Sequence, residues 1–191
     1  MSNRNNILAA ILANQPDAAP LPDISHFNYL YAGEDAVEKF ITVSTGIGSS
    51  VHRVSDMMQV SKLIGEKFPQ GRVISNLPEF AHMPLVDEVH TYADVELSIF
   101  KTRFGVAENG AMWVTEADIS ERVLPFICQH LVLIVNAGDI LSTMHQAYER
   151  IADAEYSYAT FISGPSKTAD IEQSLVLGAH GPRSLTVFII G

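Results

Sequence analysis

The sequence is short of cysteine, of positive charge and of long apolar runs, and each shortage removes a class of function. One cysteine, Cys128, stands in 191 residues. No disulfide can form within the chain, and no cysteine cluster exists to hold an iron–sulfur group or a structural zinc. The context Leu124-Pro125-Phe126-Ile127-Cys128 is apolar, so the thiol is expected to be a small buried hydrophobe. His130, two residues on, would share its face if both lay on one strand. Twelve Lys and Arg stand against 22 Asp and Glu, a formal net charge of −10. That balance argues against non-specific binding to nucleic acid, which needs a basic surface. No apolar run approaches the roughly 20 residues that cross a bilayer. The first residues, Met1-Ser2-Asn3-Arg4-Asn5-Asn6, lack the charged head and apolar body of a secretory signal. A cytoplasmic protein without a membrane span is therefore expected.

What is present is a chain with 47% hydrophobic residues, enough for a substantial core, and a length that suits one domain with an arm. Ile7, Leu8, Ile11 and Leu12 recur at helical spacing, so residues 4–14 are expected to be helical. Pro16, Pro20 and Pro22 break regularity and make the following residues an extended arm. The arm either packs against another subunit, giving a homo-oligomer, or folds back on its own domain. Residues 1–33 are thus set apart from a body spanning 34–191.

In the body, helices and strands alternate. Val37, Phe40 and Ile41 mark a helix that stops near Gly46 and Gly48, before a strand at Ser50–Val54. The Gly46-Ile47-Gly48 run lacks the third glycine and the preceding strand of a dinucleotide fingerprint. Ser55 is placed to cap the next helix, with Val60, Leu63, Ile64 and Phe68 inward. A short strand at Arg72–Ser75 leads to a poorly patterned stretch holding His82 and His90; the histidines are not at metal-ligand spacing, and the stretch reads as surface loop. Two apolar runs flank Asn109-Gly110, a strong hairpin signal because both turn residues tolerate positive φ. The run His130–Asn136 is continuously apolar and β-branched, as in a strand buried on both faces. Asp139 is a candidate cap for a helix facing inward with Ile140, Leu141, Met144, Tyr148 and Ile151, while His145 lies off that stripe. The last strand, Leu185 to Ile190, is apolar enough to lie inside a sheet. The pattern is α/β, helices layered on a largely parallel sheet with one antiparallel hairpin.

The most informative stretch lies between the strand-like runs Tyr158–Ile162 and Leu185–Ile190. In Ser163-Gly164-Pro165-Ser166-Lys167-Thr168-Ala169-Asp170-Ile171-Glu172, Ser166 and Thr168 are good helix N-cap types. Asp170 and Glu172 suit the first turn of a helix, and Gly178 suits its stop. The reading is a loop, a short helix and a second turn at His180-Gly181-Pro182. Lys167 and free N–H groups at the helix start would offer an anion site; ordinary capping explains the same residues without a ligand.

The run SGPSKTADIEQSLVLGAHGPRSL, residues 163–185, closely resembles the C-terminal signature of the LUD-domain family, the LutC-type lactate-utilisation proteins. Weaker resemblance reaches back to about Asp35. The resemblance implies a NagB/RpiA/CoA-transferase-like fold, a Rossmann-like sandwich, with ligands beyond the carboxyl ends of the strands. It implies a part in oxidation of lactate to pyruvate, alongside partner subunits that carry iron–sulfur clusters. Glu108-Asn109-Gly110 looks like the family's Glu/Asp-Thr/Ser-Gly triplet, with asparagine where the family has a hydroxyl. His130 matches the histidine that follows the family's Leu-Pro element.

The expected site thus has Glu108 and His130 handling a proton. Asn109, Gly110, Gly164, Pro165, Ser166, Lys167, Thr168, Asp170, Glu172, His180 and Gly181 would hold a small anionic metabolite. No metal is expected and no cofactor is assigned. Two other functions fit the same residues. One is a freestanding enzyme of the CoA-transferase or sugar-phosphate-isomerase kind, for which Glu108 is the plausible nucleophile; the other is a non-catalytic scaffold or regulatory subunit docking through the arm.

Overall fold

The computed structural model describes residues 3–17, 19–20, 22–29, 35–68, 70–80, 89–152, 154–169 and 175–191. Two sheets and their covering helices make up the body, and the alternation of side chains along the central strands decides the layering. Five parallel strands form the first sheet: β1 (Ser50–Val54), β2 (Arg72–Ser75), β3 (Val95–Lys101), β6 (His130–Asn136) and β11 (Ser184–Ile190), in the order β1-β11-β6-β3-β2. The second sheet is mixed: β4 (Phe104–Val106), β5 (Ala111–Thr115), β7 (Ile140–Leu141) and β8 (Ala159–Ile162), in the order β7-β4-β5-β8.

On β6, Leu131, Leu133 and Val135 enter the core between the sheets, while Val132 and Ile134 enter the core on the far side. Leu185, Val187 and Ile189 of β11 go the first way and Phe188 goes the second. This period of two is what a strand buried on both faces requires, and each such side chain contributes about 1.5–3 kcal/mol by leaving water. The carboxy-terminal strand is accordingly an interior strand, paired with β1 and β6 along its length.

Helix α2 (Ala36–Gly46) covers one edge of the inter-sheet core with Phe40. Gly105 of β4 is bare because a Cβ there would sit 3.0 Å from the Phe40 ring. Helix α3 (Met57–Lys67) covers the far face of the parallel sheet with Val60 and Ile64. Its cap is Asp56, whose side chain accepts from Gln59 N–H, rather than the expected Ser55. The short α4 (Leu124–Ile127) has Pro125 in its first turn and buries Leu124. Helix α5 (Met144–Ile151) closes the outer face of the second sheet with Ala147 and Ile151.

Several elements differ from expectation. Asp139 caps no α-helix; it accepts from Arg150 and from Asn136, and Ile140 and Leu141 are strand. The helix starts five residues later behind a Thr143–Gln146 capping box. Its buried positions are Ala147 and Ile151, and Tyr148 is 62% exposed instead of inward. Helix α1 (Asn3–Ala13) forms as expected but buries no residue. Farther along the arm, Ser25–Tyr29 is a 3-10 turn whose Phe27 stacks on His145 of α5, centroids 3.9 Å apart, so this part folds back on its own domain. Of the 76–93 stretch, residues 81–88, His82 among them, lie outside the described residues.

Candidate functional site

The signature does not fold as the expected helix. Residues Lys167–Ala169 form β9 and pair antiparallel with β10 (Leu175–Leu177), with Lys167 opposite Leu177 and Ala169 opposite Leu175. Two three-residue runs with β-branched or aliphatic members reach one another across residues 170–174, and ladder pairing takes the N–H groups a helix start would have left free. Asp170 and Glu172 lie outside the described residues. An anion site built on a helix N-terminus at Ser166–Thr168 is therefore not what these residues form.

A different arrangement gathers most of the signature. The Ser166 N–H donates to Pro182 O at 2.9 Å, and the Gly178 N–H donates to Ser166 O at 3.1 Å, so the Gly164–Lys167 turn and the His180–Pro182 turn are tied together. Gly181 is bare for a reason: a Cβ there would fall 3.0 Å from Ser166 Cβ. Between the turns and α4 lies a cavity of about 300 Å³. Phe126, Leu131, Phe161 and Leu185 make its apolar walls, and Ser163, Ser166, Lys167 and His180 its polar ones. Among the described residues, Lys167 and His180 are its only ionisable lining residues, and no carboxylate lines it.

The first sheet shows which end of the strands this is. Pro182 and Arg183 lead directly into β11, and the Arg183 N–H donates to Gln129 O just ahead of β6. The cavity therefore sits at the amino ends of the parallel strands, not beyond their carboxyl ends. The carboxyl-end rule applies to open sheets whose βα loops are free; here the second sheet delivers its β8 end to the opposite edge.

The carboxyl end of α2, legible in the sequence only as a helix stop, is the keystone. Gly164 has φ +73 and packs on the Ile47 carbonyl; Gly110 has φ +67 and a Cβ there would lie 2.8 Å from Ser44 Oγ. The Lys167 ammonium donates to Ile47 O, a cation at the negative end of the α2 dipole. One of its three donors is thus used for fastening. The Ser163 hydroxyl donates to Asn109 O at 2.8 Å, which brings the Asn109-Gly110 turn against the signature loop. Only Gly110 of that turn takes positive φ, and Asn109 instead accepts the Ala111 N–H through its side chain.

The two expected proton-handling residues are not brought into the cavity. Glu108 is exposed and its carboxylate accepts the Met144 N–H at 2.8 Å, an acid serving the first turn of α5. His130 stands at the start of β6 on the α3 side. There its Nδ1 meets Ser184 Oγ at 2.7 Å, its Nε2 lies 3.5 Å from Glu96, and its ring abuts Phe68. Cys128 packs in the inter-sheet core instead, so the two do not pair across one face. Burial pushes the Cys128 thiol up to about 11, which leaves it protonated and inert. Among the described residues no group of His, Cys, Asp or Glu is arranged to hold a metal.

A family model described as the LUD domain matches residues 89–190, more than half of the chain. The chain belongs to the LUD-domain family. An uncharacterized protein of Neisseria meningitidis serogroup B is 27% identical over 225 residues, covering all of this chain and 94% of that protein. Lactate utilization protein C of a Geobacillus species is 30% identical over 106 residues, 52% of this chain and 40% of that protein. The Deinococcus radiodurans protein of the same name is 34% identical over 89 residues, 45% and 42% of the two. The match thus spans about two fifths of the length of these LutC relatives. A 1.70 Å crystal structure of a DUF162 family protein from Deinococcus radiodurans superposes with a TM-score of 0.61 at 19% identity, covering 82% of this chain and 96% of that one. The fold of this LUD protein, a Rossmann-like α/β sandwich, is that of the neighbour. The matched region contains both turns, the hairpin and α4, so every wall of the cavity comes from it.

Proposed function

We propose that this LUD protein is a LutC-like component of lactate utilisation, and that residues 34–191 bind a small anionic metabolite in the cavity behind the signature turns. The observation that carries the binding reading is the charge of the lining. A chain of net charge −10 presents there one lysine and one histidine and no described carboxylate. Apolar walls with a few convergent polar groups are the usual build of a small-ligand site. Two ammonium protons of Lys167, the Ser166 hydroxyl and His180 suit a short carboxylate such as lactate or pyruvate. Ser163 and Gly164 shape the loop; Glu108 and His130, turned elsewhere, stay out of the binding set. With a single buried cysteine, the chain brings no thiolate set for an iron–sulfur cluster. Electrons would pass through partner subunits that carry one.

Isothermal titration of the full chain with L-lactate and with pyruvate tests the reading. Saturable binding of at least one is expected. Lys167→Met and His180→Gln should each weaken it about tenfold, the size of one charge-assisted hydrogen bond, while Glu108→Gln leaves it unchanged. Absence of binding by both acids, or equal binding by variants that melt like the parent, would refute it.

A further inference from the structure

A second cavity, sharing no lining residue with the first, lies on the outer face of the mixed sheet and measures about 370 Å³. Its floor is aromatic by register. Phe104 of β4 and Trp113 of β5 are cross-strand partners, and both point away from the inter-sheet core. Tyr156 stands edge-on to Trp113 at 5.6 Å and 80°, and is 45% exposed. The wall that carries Tyr156 is held in place by two devices. Ala152, at φ +38, turns the chain back after α5. The Glu116 carboxylate takes the Ser157 and Tyr158 N–H groups, each at 2.6 Å, which lowers its pKa from the ordinary carboxylate value.

The rim is polar without being charged in one sense. Arg103 is paired with Asp118 through one nitrogen at 2.6 Å, and Arg150 with Asp139 at 2.6 Å. Arg150 also lies over the Phe104 ring, 5.4 Å from its centroid. A guanidinium has five N–H donors in a fixed fork, so each arginine keeps donors beyond its ion pair. Glu155 and Thr115 line the same space with acceptors. Since each guanidinium is already neutralised by an aspartate, and Glu116 and Glu155 add negative charge, the rim offers no surplus positive charge to a phosphate or carboxylate.

We infer that this cavity is a binding site for an uncharged planar heteroaromatic ring of nucleobase or nucleoside size, stacked on the exposed Tyr156 ring and therefore edge-on to the largely buried Trp113, with ring acceptors facing the arginines and ring N–H groups facing Glu155 and Thr115. Aromatic faces accept such rings irrespective of sequence or substituent, while the mixed rim selects those bearing both donors and acceptors on their edge. The proposal does not depend on the anion site behind the signature.

Trp113 is the chain's only tryptophan and lines this cavity, so its emission reports on it. The full chain is titrated with adenosine, guanosine, cytidine and uridine, with their 5′-monophosphates, and with ribose. Saturable quenching or a shift by at least one nucleoside is expected, with its monophosphate weaker and ribose silent. Tyr156→Ala should weaken binding about tenfold, the loss of one stacking partner. Arg103→Gln, at a half-exposed side chain, should weaken it while leaving the melting temperature in place. Binding of L-lactate should be unaffected by either change. Silence towards all four nucleosides overturns the proposal. So does tighter binding of the monophosphates, which would mean an anion site, and so does quenching that Tyr156→Ala leaves unchanged.

Discussion

His52 is the side chain whose protonation the fold most plainly opposes. It lies on β1 with its ring stacked on Phe188, 5.4 Å between centroids. Its pKa is held below the ordinary 6.5, first by burial and then by the charge of Lys67. Lys67 is itself lowered by burial while donating to Thr186 Oγ1 at 3.1 Å. The sign follows from linkage. The unfolded chain takes a proton at His52 near 6.5, and the folded chain does so only at lower pH. The contribution is therefore fully present above the unfolded value and is lost as pH falls through the folded one. Melting temperature measured from about pH 8 down to about pH 5 should fall, and His52→Phe, which keeps the stack, should flatten the part of the slope nearest 6.5. An identical slope in the variant would place the titration elsewhere.

Among the elements, the carboxyl end of α2 ties the hairpin, the signature loop and Lys167 together. Gly110→Ala tests that fastening, because its Cβ would meet Ser44 of α2 and its φ is +67. A non-glycine residue in that conformation costs about 1–3 kcal/mol. A chain of this size loses ~2–4 °C of melting temperature per kcal/mol, which differential scanning calorimetry resolves easily; a variant melting like the parent would show that the turn relaxes freely.

The hairpin was legible because Asn109-Gly110 sits between two apolar runs, and β6 and β11 were legible because unbroken aliphatic runs have few homes other than an interior strand. The role of Ile47 was not, since nothing local says what a helix end touches. The strand at Lys167–Ala169 is hidden in the sequence because Ser166, Thr168 and the acids after it imitate a helix start; only the pairing with Leu175–Leu177 tells them apart. His130 was placed in the site by resemblance, yet the face a strand residue occupies depends on register, and register put it on the α3 side. The end at which the cavity lies is hidden for a similar reason: the loops are legible in the sequence, but not the second sheet that carries them to the amino ends of the parallel strands.

At the scale of the whole molecule, the arm divides into two parts with opposite behaviour. Ser25–Tyr29 is anchored to α5 through Phe27, whereas α1 buries nothing and leaves Ile7, Leu8, Ile11 and Leu12 between 49% and 71% exposed. Scattered exposed aliphatics are ordinary, but four on adjoining turns of one helix form a continuous patch, and such patches mark interaction surfaces. The patch carries no charge of its own, so an identical patch on a second copy is a suitable partner, and a two-fold axis lets each face meet itself. Light scattering on the full chain should then give a multiple of 20.9 kDa. The double change Leu8→Glu with Leu12→Glu should return it to the single-chain mass without altering the melting of the body, because α1 contributes no buried side chain to it. A single-chain mass for the unaltered protein would rule out self-association and leave α1 to a different partner. Removal of residues 1–29, by contrast, should lower the melting temperature through loss of the Phe27–His145 stack, so the two halves of the arm are separable by their effects on mass and on stability.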